Sequence, residues 1–323
     1  MNGDPPFHHI PVLADQVREF LSAPGIRRMI DGTLGGGGHS ELLLRANPRL
    51  EILGIDRDRE ALEAARARLA WAGERFHAVH GSYSAMEELA GGIGWHEADA
   101  VLLDIGVSSF QIDTPRRGFS WRADGPLDMR MDCDNPVTAS RILNSASEEE
   151  LAEIFREYGE IRPARRLAAA VVEARKRNPP ATTGEFARLV EQTIGRGRPG
   201  GPPAPTLAFQ ALRIAVNDEL GELRRGLEAA EKLLVPGGVL CVISFHSLED
   251  RIVKEYIRRA GSSCICPPGL PVCRCGKIPT MRALTRKAVT ASDDEIAANR
   301  RSAPARLRAA VKLSSTPSQG DQS

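Results

Sequence analysis

An acidic residue, a run of glycines and a histidine stand together in the segment Asp31–Ser40, which reads Asp-Gly-Thr-Leu-Gly-Gly-Gly-Gly-His-Ser. A short β-type run precedes this segment, a helix-like run begins at Glu41, and a second apolar run ends in Asp56. Glycines let the backbone turn tightly and lie against a ligand where any Cβ would collide. A carboxylate at the end of the second strand can accept hydrogen bonds from both hydroxyls of a ribose. Together these features predict that a nucleoside-bearing cofactor binds here.

The residues that the glycine cluster lacks indicate the type of cofactor. Gly35 and Gly37 fit the dinucleotide fingerprint G-x-G-x-x-G, but Ser40 stands at its third glycine position. The phosphate-binding loop G-x-x-x-x-G-K-[ST] fails because Gly38 stands where a lysine is required. A missing phosphate-binding lysine is expected if the cofactor carries no phosphate. S-adenosylmethionine (SAM) is such a cofactor, since it combines adenosine, a sulfonium and an amino-acid end.

Each part of SAM has a candidate partner in this segment. Asp31 can accept hydrogen bonds from the ammonium, and Asp56 can hold the ribose. The backbone amides of Gly37, Gly38 and His39 can meet the carboxylate at a helix N-terminus. The alternative is a glycine-rich turn without a ligand, but four consecutive glycines lose much backbone entropy for an ordinary turn.

The elements around this segment alternate between strand and helix. Period-2 and buried apolar runs predict further strands over 75–80, 98–104 and 239–244, and helical spacing predicts a helix over 57–72. Such alternation is typical of a parallel sheet with right-handed crossovers. We therefore predict an α/β, Rossmann-like sheet, to which residues 306–313 add a final edge strand.

The alternation stops in the middle of the chain. From residue 112 to about 205 the pattern predicts only helices, over 147–158, 162–177 and 183–194, followed by a Gly/Pro-rich connector. We interpret 112–205 as an inserted helical domain and 1–111 with 206–323 as one discontinuous domain. Apolar residues repeating from Leu212 to Leu234 predict a single long helix after the insertion.

Several polar segments fall where the predicted strands end. Open α/β sheets bind ligands beyond the carboxyl ends of their strands. The glycine cluster, Asp56, Tyr83, the segment 104–111 and the segment around His246 all belong to that edge. This convergence is stronger evidence for a site than any one motif.

Composition limits the partners and the compartment. The chain has 323 residues and a net charge of +1, so its overall electrostatic field does not predict binding to nucleic acid. Basic residues are nevertheless clustered around 162–177 and near the C-terminus, and such patches serve either a polyanion or as solvated helix faces. With neither a signal-peptide pattern nor an apolar window of membrane-spanning length, we expect a soluble, cytoplasmic protein without a membrane partner.

Four of the six cysteines stand close together as Cys264-x-Cys266 and Cys273-x-Cys275. Four thiols within this distance can close a tetrahedral zinc site. The spacing is unusual, because such sites generally use C-x₂-C. On that ground we expect free thiols in an ordered loop and assign no metal, with zinc as the alternative.

Seven motifs together resemble one known family, the RsmH (MraW) family of bacterial 16S ribosomal RNA cytosine-N4 methyltransferases, which use SAM. The resemblance runs from about residue 8 to 311. The motifs are His9–Leu13, Asp31–Ser40, Leu103–Ser109, Arg117–Ser120, Gly125–Met131, Phe209–Leu220 and Ile243–Arg251.

The resemblance implies a function and a set of site residues. It implies a Rossmann-like SAM-dependent methyltransferase with a helical insertion that helps to grip RNA, acting on 16S rRNA of the small ribosomal subunit. Arg165, Arg166 and Arg175 are then candidate RNA-binding residues. The family positions for cofactor contacts fall on Gly37, Gly38, His39, Asp56, Tyr83, Asp104 and Gln111, where Tyr83 is the aromatic suited to packing on adenine.

The reaction would need an acceptor for a proton-bearing amine. The cytosine N4 lone pair is delocalised into the ring, so an acceptor beside its N–H would stabilise the cation formed on attack. Many amino-group methyltransferases place [DNS]-P-P-[YFW] after the fourth strand, whereas this chain has Asp104-Ile-Gly-Val-Ser108. Asp104, a hydroxyl such as that of Ser108, or a nearby carbonyl is the candidate. His246 is either a contact to the base or a phosphate, or a structural histidine.

Two other functions fit the same residues. The first is SAM-dependent methylation of an amine on DNA or protein. The second is a non-catalytic assembly factor that binds rRNA and holds SAM as a structural ligand.

Overall fold

Two compact units divide the chain in the computed structural model, which describes residues 11–267 and 272–314. The helical unit comprises Val107–Leu220. The sheet unit comprises the described residues of His8–Gly106 and Gly221–Ser323. The first two residues of the His9–Leu13 motif lie outside the described residues.

All strands assigned in the described ranges belong to one sheet. The strands are β1 (Arg28–Asp31), β2 (Glu51–Asp56), β3 (Phe76–His80), β4 (Ala98–Asp104), β5 (Leu234–Ser244), β6 (Met281–Ala283), β7 (Val289–Thr290) and β8 (Arg306–Lys312).

Helices account for most of the remaining ordered backbone. The α-helices are α1 (Ala14–Leu21), α2 (Gly38–Ala46), α3 (Arg59–Leu69), α4 (Met86–Gly91), α5 (Ser109–Asp113), α6 (Ala139–Ser145), α7 (Glu148–Glu157), α8 (Ala164–Arg177), α9 (Thr183–Ile194), α10 (Ala204–Asn217), α11 (Glu219–Leu233), α12 (Ser247–Ala260) and α13 (Asp293–Ala298). Short 3₁₀ turns occupy Ala70–Arg75, Tyr83–Ala85, Pro115–Arg117 and Arg300–Ser302. Over the described residues, none of these helices has the length and apolar character needed to cross a bilayer.

The order of the strands confirms the predicted Rossmann-like α/β class. The path is β3-β2-β1-β4-β5-β8-β6, and β7 also pairs with β8. The first five strands are parallel, whereas β8 runs antiparallel to β5 and β6. Strands β1 to β3 are added successively toward one side of the sheet, whereas β4 and β5 are added on the other side of β1, so the winding order reverses between β1 and β4. That reversal is the topological switch point, where doubly wound sheets bind their ligands.

Apolar strands explain why the sheet is covered on both faces. In β4, Leu102 belongs to one buried apolar cluster, while Val101 and Leu103 belong to another. Successive side chains of a strand point to opposite faces, so a strand that is buried on both faces is apolar at nearly every position. This is why the run 98–104 predicts a strand correctly although it does not alternate.

Two predicted elements of the sheet unit are wrong in detail. The final strand β8 is not an edge strand, because β6 and β7 pair with it on the side away from β5. Both of those strands are too short to give a period in the sequence. The predicted long helix is two helices, α10 and α11, since Asp218 lies in the left-handed region with φ 48°. The apolar spacing continues across the break, so periodicity alone does not detect it.

Capped helices build the helical unit. The predicted helices over 147–158, 162–177 and 183–194 are confirmed as α7, α8 and α9. Capping boxes start α7 and α9, at Ser147 with Glu150 and at Thr182 with Glu185. The unit reaches beyond 112–205 at both ends, because α5 and α10 also belong to it. Its core includes Phe186, whose ring lies 5.6 Å from that of Phe209 between centroids.

Gly226 in α11 provides a test of packing in the sheet unit. A Cβ at this position would overlap the buried ring of Tyr83. Gly226→Ala gains about 1 kcal/mol of helix propensity, but overpacking a core typically costs about 1–3 kcal/mol. We expect a net loss of up to about 2 kcal/mol in the free energy of unfolding, measured by urea denaturation.

Gly91→Ala is the matched control, because it makes the same change in α4 and a Cβ there meets no atom within 4 Å. We expect this variant to be as stable as the parent or slightly more stable. Equal stability of the two variants would contradict the packing role of Gly226.

Candidate functional site

Three acidic residues end three neighbouring strands of the sheet unit. Asp31 ends β1, Asp56 ends β2 and Asp104 ends β4. Because β1 lies between β2 and β4 and all three are parallel, their carboxyl ends meet at one edge. This edge is at the switch point, as the sequence predicts.

Residues 32–40, which we call the glycine loop, are hydrogen-bonded to the ends of both neighbouring strands. The amide of Gly32 donates to the carbonyl of Leu102 at 2.9 Å, and the amide of Leu34 donates to that of Ile55 at 3.0 Å. A Cβ on Gly32 would lie 2.6 Å from Leu103 Cδ2, so only glycine fits there. The loop is therefore held close against the edge where the three carboxylates lie.

Helix α2 begins at Gly38, and its first amides point toward this edge without a side-chain cap. The preceding Gly37 has φ 75°, which favours glycine. The Gly37 amide donates to the carbonyl of Leu34 at 2.8 Å, and its cofactor role stays a prediction. The amides of Gly38 and His39 stand in the first turn, where a helix offers no backbone acceptor. They remain the candidate donors to a carboxylate.

Asp31 is almost fully buried, with 1% of its surface exposed. Its Oδ2 accepts from Ser40 Oγ at 2.7 Å, and its Oδ1 accepts from the Thr33 amide at 3.3 Å. Burial raises the pKa of the Asp31 carboxyl, while the Ser40 hydrogen bond opposes that rise. A buried carboxylate with a raised pKa is stabilised by any cation that binds beside it.

Asp56 is held by two backbone amides. Gly35 donates to Oδ2 at 2.7 Å, and Asp58 donates to Oδ1 at 2.8 Å. Burial raises the pKa of the Asp56 carboxyl to about 6, against the lowering effect of these two hydrogen bonds. Each carboxylate oxygen can accept more than one hydrogen bond, so the amides fix the orientation and leave capacity for hydroxyl donors.

Asp104 and His39 form a buried pair. Nε2 of His39 lies 3.4 Å from Oδ2 of Asp104, and His39 is only 7% exposed. No described residue hydrogen-bonds Oδ1 of Asp104 or either ring nitrogen of His39. Buried polar atoms without partners are costly in a folded protein. A polar ligand that bound here could supply the missing hydrogen bonds to Asp104 Oδ1 and the His39 ring.

Tyr83 lies in the core beside this edge. It is one of the buried residues of an apolar cluster, and its ring packs on the backbone of α11 at Gly226. Its Cβ lies near Gly32 of the glycine loop. The expectation that this ring packs on adenine stays a prediction.

Ser108 and Gln111 belong to the helical unit, where they cap α5. The Ser108 hydroxyl accepts from the Gln111 amide at 3.2 Å, and the Gln111 side-chain oxygen accepts from the Ser108 amide at 3.1 Å. This capping box gives both side chains a structural task. The catalytic role of Ser108 and the cofactor role of Gln111 stay predictions.

His246 also has a structural task, at the start of α12. Its Nδ1 accepts from the Glu249 amide at 3.5 Å, and its own amide donates to Glu249 Oε2 at 3.2 Å. The fully buried Glu249 side chain in turn lies 3.0 Å from His246 Nε2. This geometry favours the structural alternative for His246 over contact with a base.

The three predicted RNA-binding arginines of α8 differ in their surroundings. Arg165 and Arg166 are exposed, and neither forms an ion pair with a described residue. Arg175 is half-buried and donates to the carbonyls of Ala146 at 2.6 Å and Leu143 at 3.4 Å, at the end of α6. Arg175 therefore contributes to a helix C-terminus, and its RNA-binding role stays a prediction, whereas Arg165 and Arg166 have exposed side chains.

Thr33 and Ser40 are residues of the site that sequence reasoning missed. Thr33 Oγ1 accepts from the Asp104 amide at 2.6 Å, so it joins the glycine loop to the end of β4. Ser40 donates to Asp31. Both lie inside the glycine motif, and Ser40 stood out only as a mismatch to the dinucleotide fingerprint.

Comparison with known proteins identifies the family of this chain. The sequence model of the MraW methylase family matches residues 6–313. Three relatives are named ribosomal RNA small subunit methyltransferase H. The protein of Symbiobacterium thermophilum is 50% identical over 95% of this chain and 97% of its own length. Those of Syntrophotalea carbinolica and Geobacter sulfurreducens are 49% and 50% identical over 95% of this chain and 98% and 99% of their lengths. The chain belongs to the MraW methylase family and is a methyltransferase.

Proposed function

We propose that this chain, a SAM-dependent methyltransferase by its family, methylates the N4 amine of a cytidine in the 16S rRNA of the small ribosomal subunit. The single observation that carries the proposal is the Asp104 carboxylate, whose Oδ1 is buried and has no hydrogen-bond partner among the described residues. The names of the relatives support rRNA of the small subunit as the substrate.

The residues at the sheet edge fit SAM in charge and in hydrogen-bonding character. The raised pKa of Asp31 favours a cationic partner such as an ammonium. The first amides of α2, at Gly38 and His39, suit a carboxylate. Asp56, oriented by two amides, suits two hydroxyl donors. This set of donors and acceptors matches an amino-acid end and a ribose without a phosphate.

When bound, SAM supplies a methyl group made electrophilic by its sulfonium. The protein must then make the N4 amine of cytidine a better nucleophile. Asp104 accepts a hydrogen bond from the amine through Oδ1, which draws the nitrogen lone pair out of the ring and stabilises the charge that develops on attack. Its burial strengthens this interaction, because little solvent screens it.

His39 positions Asp104 for this task. Its ring lies beside Oδ2 of Asp104, so the other carboxylate oxygen is the one directed to the amine. The Asp104 amide is fixed by Thr33 at the same time. Both contacts come from the glycine loop, so cofactor binding and amine activation share one support.

Arg165 and Arg166 supply RNA contacts from the helical unit. Both guanidinium groups are exposed, and neither is neutralised by a described acidic residue. Guanidinium groups bind phosphates by charge and by a fork of N–H donors. Methylation of DNA or protein is the competing function, and no specific contact favours it.

The first prediction tests the ribose role of Asp56 through pH. An acid whose pKa is raised to about 6 loses its charge as pH falls through that value, and the neutral form is a poorer acceptor for hydroxyls. SAM affinity measured by calorimetry should be constant above pH 7 and fall below about 6. Asp56→Asn should weaken binding by about tenfold or more at neutral pH, since a hydrogen bond to a charged group contributes about 1.5–3 kcal/mol.

Asp99→Asn is the matched control, because Asp99 also accepts from two amides, those of Arg27 and Arg28, at the opposite edge of the sheet. It should leave SAM affinity unchanged. Asp31 is present in the parent and in Asp56→Asn, so it contributes equally to the pH dependence of SAM affinity in both. The difference between their two pH profiles therefore reports on Asp56 alone. Identical profiles would remove Asp56 from the ribose.

The second prediction tests the reaction and the role of Asp104 together. The protein is incubated with labelled SAM and small subunits from a strain that lacks the activity, and the modified nucleoside is mapped. The label should appear as N4-methylcytidine in 16S rRNA. Asp104→Asn should lower kcat by about 100-fold or more, as for loss of a transition-state hydrogen bond, and change SAM affinity less than threefold (about 0.6 kcal/mol).

Label on DNA or protein in place of the subunit RNA would contradict the substrate. Equal losses of turnover and SAM affinity in Asp104→Asn would make Asp104 a cofactor ligand only. Asp99→Asn again serves as the control that retains full activity.

The third prediction concerns the exposed arginines. Replacing Arg165 and Arg166 with Ala should weaken binding to small subunits and reduce the slope of log K against log salt by about one to two, because each phosphate contact releases counterions. SAM affinity should not change. The variant Lys176→Ala/Arg177→Ala removes two charges from the same helix, but both pair with Glu173. A slope change no larger than in this control would mean that Arg165 and Arg166 form a solvated face.

A further inference from the structure

The four clustered cysteines lie between α12 and β6, apart from the carboxylate edge. We call Cys264, Cys266, Cys273 and Cys275 the cysteine cluster. Their sulfur atoms all lie within 4.8 Å of one another. The sulfur atoms are separated by 3.9 Å from Cys266 to Cys273, 3.5 Å from Cys273 to Cys275 and 3.9 Å from Cys275 to Cys264.

We propose that the cysteine cluster is a structural zinc site in which four thiolates close a tetrahedral shell around one ion. This assignment replaces the sequence-based expectation of free thiols. That expectation rested on the C-x-C spacing, and the spacing along the chain does not decide how the sulfur atoms converge in space.

The sulfur geometry matches zinc. A Zn–S bond is about 2.3 Å, so the edges of a ZnS₄ tetrahedron are about 3.8 Å long. The three sulfur–sulfur distances given above scatter around that length. A disulfide requires about 2.05 Å between sulfurs, and all four cysteines are free thiols. Four mutually adjacent thiols without a disulfide are the arrangement that a single tetrahedral ion requires.

Backbone amides support negative charge on the cluster. The Cys266 amide donates to Cys264 Sγ at 3.4 Å, and the Ile265 amide donates to Cys275 Sγ at 3.4 Å. The Lys277 amide also donates to the Cys275 sulfur, and Gly276, with φ 58°, forms the turn before it. Hydrogen bonds from outside the ligand set orient metal ligands and stabilise thiolates.

The described residues of this segment bury little apolar surface. Three of its large apolar side chains are exposed: Ile265 by 51%, Val272 by 67% and Ile278 by 56%. A segment that buries little apolar surface needs a crosslink or a metal to offset the entropy of ordering it. Four thiolates around zinc supply that order, and they leave no open position for catalysis.

The test begins with the full chain purified under reducing conditions without chelators. Elemental analysis should find about one zinc per chain. A thiol-specific mercurial should release that zinc to an indicator dye in the same stoichiometry. Cobalt(II) exchanged into the site should give the intense sulfur-to-cobalt charge-transfer absorption of a tetrahedral S₄ site.

Cys264→Ser/Cys273→Ser should lose the zinc and the cobalt spectrum. Cys133→Ser is the matched control, because Cys133 is an exposed thiol outside the cluster and should keep both. Limited proteolysis of the parent protein should cut between α12 and β6 faster after chelation, while SAM affinity changes less than twofold. This readout does not require that the double variant fold.

Three results would overturn the proposal. The first is less than about one tenth of an equivalent of zinc in the purified parent chain. The second is zinc that persists in the double variant. The third is iron, or a disulfide within the cluster by mass spectrometry, in place of zinc.

Discussion

Three carboxylates, those of Asp31, Asp56 and Asp104, meet at one edge of a parallel sheet, and their partial or complete removal from water governs the rest of the site. A buried carboxylate is unfavourable unless donors or cations compensate it. The pKa values of Asp31 and Asp56 rise for this reason. Thr33, Gly35 and Ser40 of the glycine loop donate hydrogen bonds to the carboxylates of Asp31 and Asp56. They can do so because the loop lies directly against the strand ends. What the loop leaves unsatisfied is what a cofactor and an amine can use.

In the proposed function, the same loop connects cofactor binding with the reaction. His39 stands in the first turn of α2, whose amides are the candidate donors to the cofactor carboxylate, and its ring also lies beside Asp104. The Thr33 amide donates a hydrogen bond to Asp31, and the Thr33 hydroxyl accepts one from the Asp104 amide. A change in the loop therefore affects both ends of the site. This coupling explains why Asp104→Asn, which leaves the loop intact, is more informative than a change within the loop.

Helix caps and helix ends give a structural role to several polar residues that the sequence also suggests for the site. Ser108 with Gln111 and His246 with Glu249 form capping boxes, and Arg175 satisfies carbonyls at the end of α6. Helix ends carry unsatisfied backbone groups that need such partners. Polar residues near strand ends thus serve two different purposes, and only their surroundings in space separate them.

Sequence patterns alone are sufficient to predict the fold class, the position of the glycine loop and the acidic strand ends, because these depend on local arrangements of apolar residues, glycine and charge. It also indicated the family, through motifs spread along most of the chain. Tertiary structure decided which side chains meet: His39 with Asp104, Tyr83 with Gly226, and four sulfur atoms from two C-x-C pairs. It also decided the break at Asp218 and the inner position of β8, since neither a single left-handed residue nor a short neighbouring strand changes the apolar period. Local propensity acts over a few residues, whereas contacts between distant segments arise only when the whole unit packs.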